Sequence, residues 1–101
     1  MYRLARSSSL WERRIAILAT YRFIQRDDFG ETLAIAELLL EDKEDLIHKA
    51  VGWMLREVGK RDLAAVEPFV KQQCATMPRT MLRYAIERYP ERKRQRYLGK
   101  K

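Results

Sequence analysis

Trp53 stands between two cations at helical spacing, Lys49 four residues before it and Arg56 three after. Side chains three and four apart share a helix face, so this indole lies on a flank where it can meet protein and solvent together. Two readings compete: a basic and aromatic contact surface, or padding for the edge of a core, the usual job of a helical aromatic. Other side chains with chemical potential offer less. His48 is the one histidine and has no partner at metal-ligand spacing, which makes it structural or exposed. Cys74 is the one cysteine, so neither a disulfide framework nor a sulfur-ligated zinc site can be built, and the thiol reads as buried or inert. Asp27-Asp28 and Glu41-Asp42 fall in turns and are better explained as caps than as acid–base pairs. No metal or cofactor is expected.

The element that must position Trp53 runs from Asp42 to Asp62. Asp42, with Asp45 three residues on, suits an N-cap with acidic charge in the first turn. Ile47, Ala50, Val51, Met54, Leu55 and Val58 recur as one wide apolar stripe. Gly59 followed by Lys60 and Arg61 reads as the stop. Around this helix the spacing predicts an all-α chain with helices at about 9–25, 31–41, 43–59, 62–74 and 78–88 and a basic tail at 90–101. Ser9 and Glu12 form a capping box opening the first, whose apolar set is Leu10, Trp11, Ile15, Leu18, Phe23 and Ile24. Asp62 caps the fourth, which Pro68 makes start late or kink. Pro78 suits the first turn of the fifth.

The chain has 101 residues, four glycines and three prolines, which leaves little room for loops and fits a single domain or part of a larger one. No apolar run approaches the length needed to cross a bilayer, and no signal segment follows Met1, so a cytoplasmic setting without membrane contact is expected. The formal charge is +7, which suggests an acidic partner. It is unevenly placed: +5 over residues 1–26, −7 over 27–48 and +9 over 49–101. Arg92, Lys93, Arg94, Arg96, Lys100 and Lys101 make the tail either an attractor of phosphate or a solubilising terminus.

Sliding the chain along itself by 35 residues superposes Trp11, Leu46 and Met81, then Ile15, Ala50 and Ala85, then Ala16, Val51 and Ile86. A period of this length predicts an α-solenoid of antiparallel helix pairs, with helices one, three and five side by side. Arg14, Lys49 and Tyr84 then form a row on one face, and the acidic helix 31–41 belongs to the other layer. The first helix has apolar residues on most sides, which suits an interior position. Preceding repeats or a second chain would cover it.

LWERRIAI at 10–17, LIHKAVGWMLREVGKRD at 46–62 and MPRTMLRYAIERYP at 77–90 resemble the C-terminal half of the DNA alkylation repair family, HEAT-like-repeat DNA glycosylases of the AlkD type. The resemblance covers roughly residues 7–98, and its K-A-x-G-W-x-L-R-E core is specific. It implies a concave basic surface that grips duplex DNA and removes N3- or N7-alkylated purines without fully extruding the base. Arg14, from the Trp-x-x-Arg segment, and Trp53, from the Gly-Trp pair, would lie beside the lesion. Lys49, Arg56 and Arg79 are by position phosphate contacts or members of a solvated helix face. The family's catalytic aspartate follows another active-site tryptophan by four residues in an earlier repeat. No Trp-x-x-x-Asp occurs here, so the resemblance implies a DNA-binding portion that does not catalyse alone. The rival is a HEAT-like protein-interaction module without catalysis.

Overall fold

The computed structural model describes residues 2–99. They are helical with no strand among them: α1 (Tyr2–Ala5), α2 (Leu10–Leu18), α3 (Tyr21–Ile24), α4 (Gly30–Leu38), α5 (Asp45–Arg61), α6 (Leu63–Gln73), α7 (Arg79–Ala85) and α8 (Glu91–Leu98). The stripe Ile47, Ala50, Val51, Met54, Leu55 and Val58 is wholly buried, which makes α5 the centre of the core. Each large apolar side chain so buried is worth on the order of 1.5–3 kcal/mol relative to exposure. The helix packs between α2 and α7, while α4 and α6 lie against it from elsewhere.

Several ends differ from expectation, each for a local reason. Asp42 does not cap α5. The helix begins at Asp45, Glu44 before it makes no side-chain cap, and the Asp42 carboxylate instead pairs with Arg13 of α2 at 2.6 Å. The guanidinium meets both carboxylate oxygens and adds ion pairing that a backbone N–H lacks, and the same carboxylate still accepts the Glu44 N–H at 2.9 Å. Gly59 does not stop α5, which continues to Arg61. Asp62, in extended conformation, both ends α5 and opens α6, its side chain accepting the Ala64 N–H at 3.1 Å. Gly59 stays helical and faces α6: a β-carbon there would come within 3.4 Å of Val66.

The segment 9–25 is two helices, not one. Thr20, fully buried, donates its hydroxyl to the Ile17 carbonyl at 2.6 Å, and that competition with the backbone breaks the helix after Leu18. Ser9 accepts the Glu12 N–H as a cap should, but the Glu12 carboxylate turns to Ser7 instead of closing the box. Trp11 and Ile15, on the helix read as apolar on most sides and in need of cover from a repeat or a second chain, are 61% and 55% exposed. Pro68 lies inside α6, which nonetheless starts directly at Leu63. Pro78 precedes the first residue of α7. That helix ends at Ala85, short of the predicted 88.

The tail is more than a frayed turn. Tyr97 of α8 is fully buried, edge-to-face with Tyr89 at 5.9 Å, and donates its hydroxyl to Glu67 of α6 at 2.8 Å. Lys93 holds both oxygens of the same carboxylate, at 2.9 and 3.0 Å. These partners, Lys93 first, keep Glu67 below the ordinary carboxylate range, while burial above all pushes the Tyr97 phenol up to about 12. Lys100 and Lys101 lie outside the described residues.

Candidate nucleic-acid interface

Gly52 decides how the interface is built. A β-carbon at this position would sit 2.6 Å from the Met81 carbonyl oxygen and 2.6 Å from the Tyr84 β-carbon, so only glycine lets α7 approach α5 this closely. That approach brings Tyr84 onto the face that carries Trp53, one residue on. From the other side, α2 delivers Arg14. The result is a groove of about 290 Å³ lined by Arg14, Leu46, Lys49, Ala50, Trp53, Arg56 and Tyr84. Every lining residue comes from α2, α5 or α7.

Trp53 is 41% exposed, so it is not enclosed by the core, and its orientation is fixed by polar contact. The indole Nε1–H donates to the Glu57 carboxylate at 3.2 Å, four residues along the same helix face. Glu57 also takes Lys60 at 3.2 Å and lies 3.8 Å from the Arg56 Nε. Sequence reasoning missed Glu57, although the four-residue spacing of an indole donor and a carboxylate could have found it.

The five cations and aromatics expected at the site do not share one fate. Arg14 is half-buried and, among the described residues, has neither a hydrogen bond nor an ion pair. Its guanidinium is therefore uncommitted. Lys49 is exposed and loosely paired with Asp45 at 3.3 Å, a surface pair worth well under 1 kcal/mol. Arg56 reaches the groove, but its Nη1 is tied to Glu87, and its Nε is buried with no hydrogen-bond partner. Arg79 is not brought to the groove at all. It donates to the Leu98 carbonyl at 2.6 Å, where a cation suits the C-terminal end of α8.

Part of the opposite charge is neutralised, in one case by the groove's own Lys49. The acidic band between residues 27 and 48 is tied to Arg61 through Asp27 at 2.8 Å, to Arg13 through Asp42 and to Lys49 through Asp45. The groove thus keeps an uncommitted guanidinium, a weakly held ammonium and two partly exposed aromatic rings, a combination that can hold phosphate oxygens and the faces of sugar or base. Among the described residues no helix is long and apolar enough to cross a membrane, and no cluster of side chains could hold a metal ion.

No curated protein and no solved structure matches the chain. A family model does, that of the DNA alkylation repair enzymes, over residues 1–89, and the chain therefore belongs to the DNA alkylation repair enzyme family.

Proposed function

We propose that this chain is the DNA-gripping, C-terminal portion of an AlkD-type glycosylase, a single partial domain of HEAT-like helix pairs in an α-solenoid. The whole enzyme would remove N3- or N7-alkylated purines from duplex DNA. The observation that carries the reading is the convergence of Arg14, Lys49 and Trp53 on one groove. Arg14 would hold a backbone phosphate with two parallel hydrogen bonds. Trp53 would present its indole to the sugar and the cationic nucleotide, with Tyr84 opposite. Lys49 would add attraction to a neighbouring phosphate. Arg56 would follow only after exchanging Glu87 for phosphate, and Arg79 serves α8 instead.

An alkylated purine is cationic, and its departure leaves an oxocarbenium-like sugar that a nearby carboxylate stabilises. Asp45, Glu57 and Glu87, the carboxylates paired with groove residues, are all engaged by cations. That engagement supports a catalytic carboxylate supplied from outside this chain.

Duplex binding measured against salt tests the proposal. Arg14→Ala should weaken binding and flatten the salt dependence by about one phosphate's worth, a slope change of roughly 0.9. An unchanged slope refutes the role given to the groove. Release of N7-methylguanine by this chain alone would refute the missing carboxylate. A second reading, a protein-interaction module, is favoured by the exposed Trp11 and Ile15, which a further repeat or a second copy would cover. It expects Arg14→Ala to change nothing.

A further inference from the structure

We propose a second phosphate-binding groove, formed between α6 and α8, that takes the backbone of a second stretch of duplex DNA. It has a volume of about 520 Å³ and is lined by Ala64, Glu67, Pro68 and Lys71 of α6 with Lys93 and Arg96 of α8. It shares no residue with the Trp53 groove. Its one carboxylate is already consumed: Glu67 gives both oxygens to Lys93 and accepts the Tyr97 hydroxyl as well. Lys71 and Arg96 meet no carboxylate among the described residues. Two cations without an ion pair therefore face one hollow, although Lys71 is near enough to Glu67 to help hold its carboxyl low.

The neutral lining is small, Ala64 and Pro68, so nothing there inserts into a lipid layer or stacks on a base. What remains is attraction to phosphate without readout of sequence. The cations are also held in place. Tyr97, fully buried, anchors α8, and Arg96 directly precedes it while Lys93 lies one turn earlier. Membership of a DNA alkylation repair family makes DNA the polyanion. The inference rests on DNA as partner but not on the Trp53 groove, so the two can fail separately.

The test is binding of a short undamaged duplex, followed by anisotropy across a salt series. It compares the wild type with Lys71→Gln/Arg96→Gln, with Arg14→Ala, and with Arg3→Gln/Arg6→Gln as a charge-matched control. Lys71 and Arg96 are exposed, and unchanged circular dichroism confirms that the helices persist. The Lys71/Arg96 variant should lose about 1.8 from the logarithmic salt slope relative to the control, two phosphates at about 0.9 each. A slope equal to the control's overturns the proposal, whatever Arg14→Ala does. A flattened slope in the Lys71/Arg96 variant alone upholds it and sinks the Trp53 groove instead.

Discussion

Replacing Gly52 by alanine sets two effects of known size against each other. Alanine is the better helix former, by about 0.8–1.0 kcal/mol in an exposed helix interior. Against that, the new methyl would lie 2.6 Å from the Met81 carbonyl oxygen, roughly 0.8 Å inside ordinary contact. The obstacle is backbone, which cannot swing aside as a long side chain would. Helix α7 must shift as a body, and overpacking of this kind costs about 1–3 kcal/mol. The difference runs from about zero to 2 kcal/mol, and two contacts at 2.6 Å, one of them with backbone, put the expected net loss in its upper half. For a domain of this size each kcal/mol lowers the melting temperature by roughly 4–8 °C. Circular dichroism melting reads that loss, and duplex binding reads the displacement of Tyr84 from Trp53. If Gly52→Ala melts at or above the wild type and binds DNA equally well, the close approach does not set the groove.

Two further outcomes follow from buried charge. Asp42→Ala strands Arg13, whose side chain is only 16% exposed and retains just the Ser7 carbonyl at 3.1 Å. The loss should fall near the lower end of about 3–5 kcal/mol for a broken buried pair, and a urea midpoint showing under about 1 kcal/mol would contradict it. For Glu67 the folded pKa lies below the ordinary value of 4.5, through Lys93 first and Tyr97 second. Its stabilisation is therefore complete above that value and disappears as pH falls through the depressed one. Protection of the Lys93–Leu98 amides, measured against their intrinsic exchange rate at each pH, should fall in acid, and Glu67→Gln should remove that dependence. Tyr97 has the opposite sign: its stabilising effect holds below pH 10 and goes only as pH rises through about 12, so α8 should stay docked in mild alkali.

The parts legible in the sequence are those written in local spacing. The buried stripe of α5 follows from its helical period, and Asp62 is recognisable as a cap whichever helix claims it first. Putting Arg14, Lys49 and Tyr84 in one row needed the 35-residue offset, and all three line the groove. What spacing could not convey depends on partners distant in sequence. Asp42 looks like a cap until Arg13, 29 residues away, competes for it. Tyr97 sits in a run of cations that reads as solvated, and only Tyr89 and Glu67 make it a core residue. Arg56 and Arg79 read alike as phosphate contacts or solvated side chains, yet Glu87 occupies one and the Leu98 carbonyl the other. Thr20 shows the reverse case, a local bond strong enough to interrupt an otherwise continuous apolar period.

Asp62 is the whole connection between the longest helix and the next: α5 ends at Arg61 and α6 begins at Leu63. A joint of one residue has no slack, and its extended backbone is pinned by its own carboxylate on the Ala64 amide. The angle between the two helices is consequently inherited from a single pair of dihedrals. Any torque applied to α5 by a bound polymer is passed to α6 undamped, as through a welded elbow.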